Sequence, residues 1–193
     1  MDIISIISGF LSKILSGQPV LPPAQDSAPK SDPEPTPTPP QVAPTPASID
    51  WDRMKTMLHG ELGVKYVFGS KPDAKNPRPD SFDCSGLVHW AYGEVGITVP
   101  EGSQEQFDAS DPVSKGNEKF GDVGFFRKPD SPTHHVGIIF DDVNVIEARG
   151  IEPSLEAQGL PDDQVILRPR AKWEAFSEFT GWRRFKAVKE IEG

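Results

Sequence analysis

The stretch DSFDCSGLVHW, residues 80–90, decides how this chain is read. Asp80, Ser81 and Asp83 are residue types that favour a helix start, where a short side-chain oxygen accepts an unpartnered backbone N–H. Ser85-Gly86 keeps the first turn small. Cys84, Leu87, Val88, Ala91 and Val95 then fall on one side of a helix that Gly96 stops. A thiol at this point sits over the unsatisfied N–H groups and the positive end of the helix, which stabilises the thiolate. Cys84 is the one cysteine in 193 residues, so no intrachain disulfide can form. A lone cysteine is ordinarily a small buried hydrophobe. This setting makes it a candidate nucleophile.

A thiolate nucleophile needs a base held on a rigid neighbouring element. Four histidines are present. His59 lies in a helical stretch with no other chemical residues and reads as a surface residue. His89 follows Cys84 by five residues, about 140° round the helix, and reads as structural. His134 and His135 open the run HHVGIIF. Strand alternation groups His135, Gly137 and Ile139 on one face and His134, Val136, Ile138 and Phe140 on the other. Gly137 beside His135 is expected to leave open space for a substrate. Alternation alone does not say which face meets the helix. It does place Glu147 on the same face of its strand as Val145, a site for one inward polar side chain.

Further out, Asp50 is a plausible N-cap for a helix carrying Met54, Met57, Leu58 and Leu62 on one face and ended by Gly63. After the second helix the pattern turns to strands at Val123–Phe126, His135–Phe140, Val143–Ala148, Val165–Arg168 and Trp182–Val188. Asp141-Asp142 separates two of these by a tight turn, which predicts a hairpin. Helices first and strands later predict an α+β domain over residues 49–193, with helices packed on an antiparallel sheet. No internal repeat is present.

The rest of the chain differs in composition. Residues 1–17, MDIISIISGFLSKILSG, place Ile3, Ile4, Ile7, Phe10, Leu11, Ile14 and Leu15 at helical spacing. The segment is shorter than the roughly 20 apolar residues that span a bilayer. With Asp2 near its start it is a poor secretory signal, and no cleavable signal peptide is evident. An amphipathic helix that anchors at a membrane surface or oligomerises is expected. Residues 18–48 hold eleven of the 21 prolines and almost no large apolar side chains, which predicts a disordered linker. In polyproline II form, at about 3.1 Å per residue, such a spacer reaches on the order of 90 Å. The net charge of −9 argues against nucleic acid as a partner, because phosphate binding needs a basic surface. No CxxC or HExxH spacing suggests a metal site, and nothing in the chain calls for a cofactor.

The blocks FDCSGLVHWAYGEVGITVP, FGDVGFF and HVGIIFDDVNVIEA, preceded by YVFGS, together resemble the NlpC/P60 family of cell-wall cysteine peptidases. The four blocks cover nearly the whole of residues 49–193 in the family's order. The resemblance implies a papain-like α+β fold and hydrolysis of a stem-peptide bond in bacterial peptidoglycan, typically between D-glutamate and the following diamino acid. It implies Cys84 as nucleophile and His135 as base. It also implies that Tyr66 lines the oxyanion side, with Asp83 and Ser85 near the substrate's amino end. Two departures stand out. The family often has His where VIEARG offers Glu147, and a carboxylate can equally accept the imidazole N–H and stabilise the imidazolium. PEGSQEQ replaces the more usual Pro-Arg-x-Ser, with Glu101 and Gly102 in place of the basic residue.

Three activities share these features. An N-acetylmuramoyl-L-alanine amidase or an acyltransferase would use a similar Cys-His pair on a different bond. A virion or envelope component could bind wall without cutting it, although an intact Cys84-His135 pair argues against that. An apolar N-terminal segment on a long spacer, without an export signal, suggests a phage-encoded or virion-associated lytic enzyme such as an endolysin. Its location would then be the virion or the host cell wall and envelope.

Overall fold

Asp50 starts the first helix, α1 (Trp51–Gly60), by accepting the Arg53 N–H at 2.9 Å. Met54 and Leu58, one turn apart, are its buried residues. The helix closes at Gly60, and Gly63, in the left-handed region at φ +86°, turns the chain into the sheet. The computed structural model describes residues 48–73, 75–76, 78–151 and 162–193. The amphipathic segment expected over residues 1–17 lies outside the described residues, as does the expected linker except for Ser48.

The remaining elements are β1 (Lys65–Tyr66), β2 (Ser81–Phe82), α2 (Cys84–Glu94), α3 (Ser103–Asp108), β3 (Ser110–Pro112), β4 (Val123–Arg127), β5 (Thr133–Ile139) and β6 (Asn144–Arg149). They continue with β7 (Gln164–Pro169), α4 (Arg170–Glu174), β8 (Phe179–Phe185) and α5 (Lys186–Glu192). The strands form one sheet in the order β2-β1-β7-β6-β5-β4-β8-β3. Its pairings are antiparallel except for β1 with β2, which is parallel and so departs from the all-antiparallel expectation. β5 and β6 form the expected hairpin. Asp141 Oδ1 accepts the Val143 and Asn144 N–H groups and fixes the turn.

The central strands are buried on both faces. Val123, Phe125, Val136, Ile138, Ile146 and Ala148 point into one core with Met54 and Leu58 of α1 and Leu87, Val88 and Ala91 of α2. Alternate residues Phe126, Ile139 and Val145 point into a second core with Trp173 of α4 and Trp182 of β8. Each large apolar side chain removed from water contributes about 1.5–3 kcal/mol. Helix α2 is buried almost all round, including Trp90 and Tyr92, so its environment is wider than the single apolar face predicted. The run Trp182–Val188 is a strand only as far as Phe185. Its remaining apolar residue, Val188, belongs to α5, where it lies one helical turn from Phe185 and enters the same core.

Candidate active site

Two local devices fix the start of α2. Asp83 is the N-cap, and its Oδ1 accepts the Gly86 N–H at 2.6 Å and the Ser85 hydroxyl at 3.1 Å. Gly86 packs directly against the backbone carbonyl of Ser70, where a Cβ would clash. Gln106 of α3 donates to Ser85 O at 2.9 Å and Pro100 O at 2.8 Å, which ties the loop before α3 to the same turn. Cys84 is therefore the first residue of a clamped helix, and it is partly exposed.

The facing group comes from β5. Phe126 pairs with His135 and Arg127 with Thr133, so His134 is an extra residue, a bulge. Bulges bend a strand and re-aim its side chains. The bulge lies where the His135 ring must meet partners on two sides. Its Nε2–H donates to Glu147 Oε2 at 2.5 Å. The Cys84 thiol lies near enough to favour the charged ring, and Nδ1 is the nitrogen that Glu147 leaves unoccupied. Burial pulls the ring toward its neutral form, but the bonds to Cys84 and Glu147 outweigh this and hold it at about 8. Glu147 is 0% exposed. Burial pushes its carboxyl up, whereas His135, Arg149 and Arg168 together bring it down to about 2.

The structure thus brings Cys84, His135 and Glu147 together. Tyr66, Asp83 and Ser85 line a cleft of about 490 Å³ with Cys84, Phe68, Lys71, Gly102, Glu105 and His134. Burial, with Cys84 and Asp83 nearby, raises the Tyr66 phenol to about 12, so it remains an O–H donor. Asp83 Oδ1 is already committed to the helix. His134 pairs with Glu178 at 3.2 Å on the cleft rim. His89 is held by Val99 O at 2.8 Å, a structural place. Glu101 is exposed, and Gly102 is the N-cap of α3, with the Glu105 carboxylate folded over it.

One expectation is corrected. Gly137 leaves no open space for a substrate, because its missing Cβ is replaced by the Trp173 indole, 2.8 Å from where that atom would lie, and by Val145 at 2.9 Å. The indole comes from α4, 36 residues later in the chain, and strand alternation carries no information about it. The cleft opens instead between α2, α3 and the loop after β1. Two charged residues behind Glu147 were also absent from the sequence reading. Arg149 Nη1 lies 3.4 Å from Glu147 Oε2, and Arg168 Nη1 lies 3.6 Å from Oε1. Arg149 is two residues from Glu147 on the same strand face, a spacing that could have pointed to it.

Comparison with known proteins assigns the family and the fold. Residues 63–163 match the NlpC/P60 family. The chain is 39% identical over 137 residues to the bifunctional muramidase/DL-endopeptidase CwlT of Bacillus subtilis, covering 68% of this chain and 40% of that protein. It is 32% identical over 115 residues to a γ-D-glutamyl-L-lysine dipeptidyl-peptidase of Bacillus cereus, covering 58% of this chain and 32% of that one. The chain thus spans well under two thirds of either relative's length. The crystal structure of an NlpC/P60 family protein from Bacillus cereus superposes with a TM-score of 0.56 at 26% identity, covering 74% of this chain and 41% of that one.

Proposed function

Because the chain belongs to the NlpC/P60 family, we propose that it is a cysteine peptidase that cuts peptidoglycan stem peptides with Cys84 as nucleophile, His135 as base and Glu147 as the group that orients the base. The observation that carries this reading is a thiol at a capped helix start, beside an imidazole that it helps to keep charged and whose Nε2 is held by a buried carboxylate at 2.5 Å. The cleft of about 490 Å³ beside the thiol is where we place the stem peptide.

The chemistry follows from the geometry. Cys84 Sγ attacks the scissile carbonyl carbon, and the carbonyl pair moves onto oxygen, to which the Tyr66 O–H would donate from the same cleft. His135 passes its Nδ1 proton to the leaving nitrogen as the C–N bond breaks, which leaves a thioester and a free amine. Neutral His135 then takes a proton from water as the hydroxide oxygen bonds to the thioester carbonyl. The C–S bond breaks, the carboxylic product leaves, and the thiolate and imidazolium are restored. Glu147 stabilises the imidazolium in both half-reactions without taking its proton. Asp83 and Ser85, which line the same cleft, are the residues we assign to the substrate's amino end.

The bond proposed is that between D-glutamate and the following diamino acid, supported by the γ-D-glutamyl-L-lysine activity in the name of the Bacillus cereus relative and, more coarsely, by the DL-endopeptidase activity in that of the Bacillus subtilis one. Digesting purified sacculi and identifying the new amine by mass spectrometry tests this. A new amino group on the diamino acid is expected. A new amino group on L-alanine would replace the proposal with an amidase, and no new amine would leave wall binding alone. The proposal includes a phage-encoded or virion-associated setting, with residues 1–17 at a membrane or particle surface and the proline-rich stretch as a spacer. Detecting the chain in purified particles would support that setting. Export by its own cell, with processing after the first segment, would defeat it.

A further inference from the structure

Arg168 is the residue that the proposed mechanism leaves unused. It lies on β7, paired with Val145 of β6, and so shares the face of Glu147. It is 0% exposed. Among the described residues, none of its Nε, Nη1 or Nη2 atoms makes a hydrogen bond, and Glu147 Oε1 makes none either. Its contacts are the ion pair to Glu147 Oε1 at 3.6 Å and the Phe176 ring, 4.6 Å from the guanidinium carbon. An arginine kept for structural bonding would use its five donors. Burying a guanidinium is costly, and among the described residues the one opposite charge that offsets the cost here is the Glu147 carboxylate.

We propose that Arg168 is a positioning residue whose buried charge keeps Glu147 ionised and weakens the hold of the Glu147–His135 pair on its protons. The inference rests on the reading of Cys84, His135 and Glu147 as the catalytic set. Among the described residues, the ionisable groups facing the pair are the Cys84 thiol from α2, the bulge residue His134 from β5, Arg149 from β6 and Arg168 from β7. From α4 and β4 it meets only the rings of Trp173 and Phe126. Hydrogen-bonded carboxylate and imidazole lose their protons as one coupled pair. Removing a nearby positive charge raises the pH at which each of the two protons leaves. Without Arg168, the imidazolium becomes a weaker acid toward the leaving amine. Arg168 therefore acts on the rate through His135.

The test is the pH profile of Cys84 alkylation by iodoacetamide in the full chain, which needs no peptide substrate, alongside the pH profile of kcat/KM on sacculi. In the parent chain, alkylation is expected to show a step that His135→Ala abolishes. If no such step exists, the reading of the site fails, and this inference with it. If the step exists, Arg168→Met is expected to move it upward by about one pH unit. Arg168→Lys should leave it within a few tenths, because charge and not hydrogen bonding is what the site uses. Arg168→Gln repeats the neutral test should Arg168→Met not fold. An unmoved step in a folded neutral variant would overturn the proposal. So would failure of both neutral variants to fold while Arg168→Lys folds, which would assign Arg168 to stability.

Discussion

Replacing Glu147 with glutamine removes the charge that His135 faces but keeps an oxygen able to accept its Nε2–H. In the parent chain burial opposes the imidazolium, yet the bonds to Cys84 and Glu147 lift His135 from 6.5 to about 8. That difference corresponds to about 2 kcal/mol in favour of the charged ring, or roughly thirty-fold in its population. With the carboxylate gone, burial meets only the Cys84 interaction, and the ring should lose its proton below pH 7. The alkaline limb of kcat/KM is therefore expected to move from about 8 to below 7, with activity at pH 8 reduced about 10- to 100-fold. The substitution also strands Arg168 in the interior, and breaking such a pair costs about 3–5 kcal/mol of stability. The limb position is the quantity to read, because it does not depend on the fraction of folded enzyme. A Glu147→Gln enzyme with the parent's limb and rate would refute the assignment of Glu147 to the base.

Other substitutions test neighbouring parts of the account. Cys84→Ala and His135→Ala should each abolish lysis of sacculi while circular dichroism shows an intact fold, a larger loss than Glu147→Gln produces. Gly137→Ala forces a methyl against Trp173 and Val145 and should cost about 1–3 kcal/mol, read as a lowered Tm. Asp83→Ala removes the α2 cap and should cost about 1 kcal/mol in stability, with slower Cys84 alkylation at neutral pH as the first turn loosens. Stability should also follow the buried pair. The His135 contribution is complete below about 6.5 and lost as pH rises through about 8, so thermal melts should show Tm falling across that window. The Glu147 contribution is complete above 4.5 and lost as pH falls toward about 2. A flat Tm across both windows would contradict the buried ion pair.

What the sequence made legible was local. Asp83, Cys84 and Gly86 lie within four residues, and capping chemistry alone placed a thiol on a helix start. Alternation of period two put Glu147 on one face with Val145, and the Asp141 turn announced its hairpin. The packing partners were not legible, because they come from distant parts of the chain. Trp173 fills the space beside Gly137 from an element of five residues that no periodicity announces. The strands β1 and β2 have two residues each, too few to show alternation, and exist through pairing with each other and with β7. Val188 looked like the end of a strand because an apolar residue serves a strand or a helix equally well, and tertiary contact chose the helix. Arg168 followed the apolar run Val165-Ile166-Leu167 in a strand, where a charged residue ordinarily marks an exposed end. Only its neighbour across β6 explains why it is buried.

Acid-quenching the enzyme during turnover of a stem peptide, then sizing the peptide that contains Cys84 by mass spectrometry, tests the nucleophile most directly. The account predicts that this peptide gains the mass of the substrate's acyl half, as a thioester on Sγ, and that hydroxylamine removes it. Turnover that persists in Cys84→Ala, or proceeds in the parent chain with no acyl group ever found on Cys84, would contradict it.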